Sequence, residues 1–458
     1  MFVLATAVCA FAQDRNNDDE VVKIDFMNRY NAVEGEVIVK FADNSSFRLD
    51  YDRNDKLRTT GMSSVDKAFE KFNVTSVKQL CPGDEKRRNF RTSKSYNGAD
   101  VVERDLSRLC LVKIEPDASR AQDADYNIHA LTQELIDTFN EMEDVEFAEP
   151  NYIMYALGVQ STDNGQQTTG LEYASYGGNE TRDPGYKYFG YKTYRKEPYY
   201  SQQWGISATN IDGLWQAYED GLDETPNTER PIIAILDTGV DITHPDLEAN
   251  IWTNPNENAN GYDDDNNGFK DDLHGWDFVN KTGDVRDYNS HGTHCAGIAA
   301  AVGTNGKGVV GANPNAYIMP VTVMQSNGTG ALSTIIEGIN YAKNNGADII
   351  SMSIGTYAYS IALEQALAQA YQNSVLVAAA GNDGAYIDPR CTPPGFPSGA
   401  MYPAAFTFVL GVQATQEKPG DCGHLACFSN YDCDGPSFSQ YSEEQLYNYE
   451  LQFGTAQA

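Results

Sequence analysis

The amino-acid sequence predicts an α/β fold: a parallel sheet with helices on both faces, preceded by a small α+β unit. Three observations point there. Continuous apolar runs at 231–236 (PIIAIL), 347–353 (ADIISMS) and 375–380 (VLVAAA) have the composition of strands buried on both faces. Helical stretches at 292–302, 331–344 and 360–372 alternate with them, as βαβ crossovers require. The chain has 458 residues, 41% of them hydrophobic and 11% aromatic, enough for a large core in spite of a net charge of −32.

Taken in order, the first residues, MFVLATAVCAFAQ, are apolar and end in Ala10-Phe11-Ala12 before Gln13, an A-x-A cleavage pattern without the usual basic start. Residues 1–12 are therefore read as the remnant of a signal peptide. Residues 33–41 alternate as a strand, 65–72 as a helix, 109–115 as a strand and 130–142 as an amphipathic helix, and VEFAEPNYIMYAL (145–157) closes the series. Together these define an α+β domain over 21–157. Gly, Thr, Asn, Tyr and Lys without a sustained period mark 158–203 as a linker holding a processing region. The larger domain runs from Trp204 to the end at 458.

The composition excludes some functions. With 65 acidic against 33 basic residues and no basic run, a nucleic-acid groove is not expected. No apolar stretch is long enough to span a bilayer. Cys9 would leave with the leader. Cys81 with Cys110 as one pair, and Cys391, Cys422, Cys427 and Cys433 as two more, would suit an exported protein, with Cys295 left as a buried thiol. Which distal cysteines pair is open. Zinc is the alternative for that cluster, but His424 is its only nearby imidazole and the spacing matches no usual site.

Chemistry concentrates on one sheet edge. Asp237 ends a strand in ILDTGVDITHPDL, and Ser353 and Asn382 follow other strands. Catalytic groups in such sheets gather beyond the carboxyl ends of strands. His291 opens a helix in NSHGTHCAGIAAA, where Gly292 permits a tight entry and His294 reads as a structural helix residue. A carboxylate that fixes the tautomer of an imidazole makes that imidazole a general base. Other readings fit less well. D-T-G also marks aspartic peptidases, which need two such aspartates, and H-x-x-H here lacks the glutamate of a zinc helix.

These blocks resemble the subtilisin-like serine peptidases, the subtilases. AILDTGVDITHPDL is similar to the family's aspartate block, HGTHCAGIAAA to its histidine block, and AAAGNDG to the block with its oxyanion asparagine. SNGTG (326–330) and SMSIG (351–355) resemble its two peptide-flanking segments. The resemblance covers about 204–431 and implies a subtilisin-like three-layer parallel sheet. It also implies catalytic roles for Asp237 and His291 and an oxyanion role for Asn382. Ser326, Gly328, Gly330, Ser353, Ile354 and Gly355 would bind substrate by β-augmentation.

The EPNY block and the pattern before it are similar to a subtilase propeptide, which would fill the cleft as an intramolecular inhibitor. The family's G-T-S helix start is absent. Ser437, Ser439 and Ser442 lack its small-residue turn, so the catalytic Ser is expected beyond the end of this chain, and residues 1–458 to be inactive. Asp263, Asp265, Asn267, Phe269 (through its carbonyl) and Asp271 fall at calcium-loop offsets, with Asp272 approaching from another direction; similar inserts in bacterial subtilases point to a structural Ca²⁺. The expectation is a serine endopeptidase made as a zymogen, secreted, at the cell surface or periplasmic, acting on proteins or peptides. The alternative is a serine-less pseudopeptidase that binds peptides.

Overall fold

The computed structural model describes residues 31–42, 45–52, 57–82, 92–115, 127–157, 194–219, 230–383, 399–420, 423–425 and 430. The leader, the linker up to residue 193, the four distal cysteines and Ser437, Ser439 and Ser442 lie outside them.

The N-terminal unit comprises β1 (Ala32–Phe41), β2 (Asp50–Tyr51), β3 (Leu57–Thr59), α1 (Ser63–Lys71), β4 (Val74–Gln79), β5 (Thr92–Lys94), β6 (Asp100–Val102), β7 (Leu109–Ile114), α2 (Ile128–Asn140) and β8 (Val145–Ala156). Its main sheet runs β8-β1-β7-β4, all antiparallel, while β2–β3 and β5–β6 are separate hairpins. Strand alternation splits the sheet's side chains between two faces. Val37, Val39 and Phe41 join Phe69 and Phe139 under α1 and α2, whereas Ile38 packs in the cluster shared with the larger unit. Asn127 starts α2 by accepting from the amides of His129 and Ala130.

The larger unit adds α3 (Trp204–Ala208), α4 (Ile211–Glu219), β9 (Ile232–Asp237), β10 (Trp276–Asp277), α5 (His291–Ala300), β11 (Tyr317–Thr322), β12 (Thr329–Ala331), α6 (Leu332–Asn344), β13 (Ile349–Met352), β14 (Ile354–Gly355), α7 (Ile361–Ala370), β15 (Val375–Ala379), β16 (Leu410–Val412) and a hairpin of β17 (Thr415–Gly420) and β18 (Gly423–Leu425). The central sheet runs β10-β11-β9-β13-β15-β16 and is parallel throughout. In β9, Ile233 and Ile235 point into the cluster with α5, and Ala234 and Leu236 into the one with α6 and α7. That alternation makes the strand apolar at nearly every position, and it places helices on both faces as predicted.

The expected N-terminal disulfide is not formed: Cys81 and Cys110 are buried thiols, and the described residues contain no disulfide. Burial raises the Cys110 thiol well above its ordinary range, as an apolar environment does for a group that would otherwise ionise. Both side chains pack as small apolar residues in cores large enough to need no covalent staple.

Candidate active site

Asp237 is the last residue of β9, and His291 the first of α5. Their side chains are 1% and 2% exposed, and Asp237 Oδ1 lies 2.7 Å from His291 Nδ1. Local chemistry sets this entry. Ser290 precedes α5 in a left-handed conformation (φ 83°) and does not cap it. Asp287 does so instead, accepting from the amides of Asn289, Ser290 and Thr293, while Thr238 Oγ1 accepts from the Gly292 amide. A Cβ on Gly292 would lie 2.1 Å from the Gly239 carbonyl oxygen, so only glycine lets the helix start so close to the strand end. His294 sits one position off, on the exposed side of α5.

The third reactive side chain at the pair is a thiol. Asp237, His291 and Cys295 each offer an atom within 4.8 Å of the others, and all three are buried. The expectation of a serine-type site completed beyond residue 458 is thereby corrected: the cluster is filled within the chain, by cysteine. Cys295 stands one helical turn after His291, so both face β9. Its Sγ lies 3.9 Å from Nδ1, the nitrogen already held by Asp237, and donates to Ser353 Oγ at 3.3 Å. The other nitrogen, Nε2, meets the Leu157 carbonyl oxygen at 3.1 Å. Both imidazole nitrogens thus face oxygen acceptors, an arrangement suited to the doubly protonated ring. Burial opposes the charge on His291, but Asp237 outweighs it and holds the imidazolium form well above the ordinary histidine range.

Leu157 reaches the pair through β8, which crosses from the N-terminal unit into a groove of the larger one. Thr329, Gly330 and Ala331 pair antiparallel with Tyr155, Met154 and Ile153, and on the other side Ile354 and Gly355 pair with Ala156 and Tyr155. The Ala156 amide donates to the Gly328 carbonyl at 2.8 Å, and the Leu157 amide to that of Ser353 at 2.7 Å. Five of the residues singled out in SNGTG and SMSIG therefore meet one extended strand; Ser326 instead accepts from the Asn289 side chain through its carbonyl. The Leu157 and Met154 side chains are buried, each in a different apolar cluster. Asn382 follows β15 at the same sheet edge and is half-buried.

A profile of the "Subtilase family" matches residues 228–449. Thermitase of Thermoactinomyces vulgaris is 32% identical over 264 residues, covering 57% of this chain and 80% of that protein. This chain belongs to the subtilase family. The "Thermophilic serine proteinase" of Bacillus sp. (strain AK1) is also 32% identical, over 306 residues that cover 67% of the chain and 56% of the relative. The crystal structure of fervidolysin from Fervidobacterium pennivorans, "a keratinolytic enzyme related to subtilisin", shares the fold (TM-score 0.51, 20% identity), covering 93% of this subtilase chain and 47% of that one. The chain thus spans about half the length of these last two proteins.

A second cluster lies in the acidic loop. Glu257, Asp265 and Asp272 bring carboxylate oxygens within 4.8 Å of one another. Of the five residues expected there, Asp265 takes part. Asp263 accepts from the amides of Asn267 and Gly268, and Asp271 turns to those of Asn260 and Gly261. The Phe269 ring packs on Trp276, Phe278 and Tyr341. Glu257 was missed because it lies before the loop pattern in sequence. Asp272 is fully buried, and burial, with the neighbouring Asp265 charge, raises its carboxyl above the ordinary range. Three all-oxygen carboxylate donors converging under mutual repulsion fit a hard cation. Sequence reasoning also passed over Glu197, which is buried near Asp246, has Oε2 without a hydrogen-bond partner and is likewise held high by burial. Among the described residues no helix is long and apolar enough to cross a membrane.

Proposed function

We propose that this chain is a peptide-binding pseudopeptidase of the subtilase family, whose groove is closed by its own residues 153–157. The observation that carries this is the seating of β8 between β12 and β14, with main-chain hydrogen bonds on both edges and the Leu157 carbonyl on His291. A peptide held this way owes affinity to backbone pairing and selectivity to pockets beneath alternate side chains. Asp237 and His291 hold a positive ring against the bound carbonyl, with Asn382 as the carboxamide that would share its oxygen. The N-terminal unit acts as an intramolecular inhibitor, and the guests are proteins or peptides met at the cell surface or outside the cell. Glu257, Asp265 and Asp272 hold Ca²⁺, which supplies the charge that lets three carboxylates stay close.

The geometry at Cys295 favours binding over turnover. A nucleophile must give its proton to Nε2, which here faces Leu157, while the thiol lies on the Nδ1 side. The test uses the purified chain with a labelled peptide of sequence Tyr-Ile-Met-Tyr-Ala-Leu extended by two residues. Saturable binding without cleavage is expected, and Cys295→Ala should bind equally well. Cleavage abolished by Cys295→Ala would overturn the proposal in favour of a thiol peptidase; absence of binding would overturn it altogether.

A further inference from the structure

The N-terminal unit also touches the larger one away from the groove. The β5–β6 hairpin, with Ser93 opposite Val101, lies on the carboxyl end of α7. Ser93 Oγ donates to Gln372 Oε1 at 2.7 Å, Gln372 Nε2 donates to the Val101 carbonyl at 3.4 Å, and the Tyr371 hydroxyl donates to that of Lys94 at 2.8 Å. At the hairpin tip, the Tyr96 amide donates to the Thr407 carbonyl at 3.3 Å, and the Tyr96 ring meets Tyr371 edge-on. Val101 is buried in the cluster that contains Leu367 and Phe408. The amino end of the same helix is held by Glu149 of β8, which accepts from Ser360 Oγ and the amides of Ile361 and Ala362. The two grips are a helix length apart, about 15 Å.

We propose that the carboxyl end of α7, with Thr407 and Phe408, is a docking surface distinct from the groove, that its occupant is the chain's own hairpin 92–102, and that this contact sets how long β8 stays seated. The inference rests on β8 being a removable guest. Backbone pairing in the groove accepts many extended sequences, whereas this surface reads a hairpin with a small hydroxyl, a buried valine and a tyrosine at fixed positions. When β8 lifts out, the hairpin holds the unit in place, so reseating competes with free peptide at the effective concentration of a rigidly tethered strand. Interface changes of this kind act chiefly on the rate of leaving.

Hydrogen exchange on the full chain tests the assignment. The double variant Ser93→Ala, Tyr96→Ala removes one hydrogen bond and one ring contact, and about fivefold to tenfold faster exchange is expected at the Ala156 and Leu157 amides. Exchange within β9 should not change. Gln372→Ala, made from the other side, should act at least as strongly because it also loses the bond to the Val101 carbonyl, and adding Ser93→Ala to it should change little, because the Ser93 bond is already gone. Faster exchange confined to the hairpin's own amides would overturn the docking role. Excess Tyr-Ile-Met-Tyr-Ala-Leu peptide should speed exchange of the β8 amides in the unaltered chain; if it does not, the removable-guest reading fails, whatever the hairpin variants show.

Discussion

A buried imidazole 2.7 Å from a buried carboxylate keeps its charge, and the pair costs most when one member is removed. Asp237→Asn should destabilise the chain by about 3 kcal/mol, measured by urea unfolding. The same variant should change the pH dependence. A histidine whose folded pKa is raised contributes stability that is complete below its unfolded value of about 6.5 and fades as pH climbs toward the folded one. Unfolding series above neutral pH should therefore show stability falling with pH in the unaltered chain, and a flatter profile in Asp237→Asn. Both residues were legible from motif blocks that put an aspartate at a strand end and a histidine at a helix start. Cys295 was legible only as a buried thiol. Its place beside the pair follows from the helical turn that carries it back over β9, and from a strand end close enough to receive it.

Two helices have amides at their starts bonded by the other unit, although α7 also has its own cap in Ser360, which accepts from the Leu363 amide. The N-cap position of α6 is Ala331, which has no side-chain acceptor, and the Ser333 amide bonds instead to Asn151 Oδ1 at 2.9 Å. Asn151→Ala should cost about 1 kcal/mol, and Glu149→Ala about 2 kcal/mol because three donors lose one acceptor; thermal unfolding of the full chain reads both. Burial raises Glu149 above the ordinary carboxylate range. Its contribution is therefore complete at acid pH and declines as pH rises through its folded pKa, a slope that Glu149→Gln should remove. The acidic loop is argued at the same scale. Adding Ca²⁺ at about a hundred times its dissociation constant should stabilise the chain by about 2.7 kcal/mol, and Asp265→Asn should remove most of that gain. No shift with Ca²⁺ would refute the cation. The loop's composition was plain in the sequence, but its ligand geometry was not: Asp271 faces backbone amides, and Glu257 arrives from an earlier turn.

For the molecule as a whole, the decisive contact is the closure of one unit's groove by the other's last strand. Gly355 is a tight point in it: a Cβ there would lie 2.8 Å from Leu157 Cδ1 and 2.6 Å from Met401 Sδ. Gly355→Val should push β8 out of the groove while leaving the parallel sheet intact. The expected result is fast amide exchange at 153–157, with β9, β11 and β13 protected; unchanged protection at 153–157 would show that the groove tolerates the added bulk. The sequence by itself determined the central strands and helices, while the short hairpins, among them β5–β6, went unread. Apolar runs buried on two faces and helices of matching period set the parallel sheet and its edge, because local patterning records which side chains must leave water. Only the tertiary structure decided that a thiol completes the buried cluster, that Cys81 and Cys110 stay apart, and that Glu149, Asn151 and the β5–β6 hairpin clasp the larger unit. Those depend on distances between residues far apart in the chain, which no local pattern encodes.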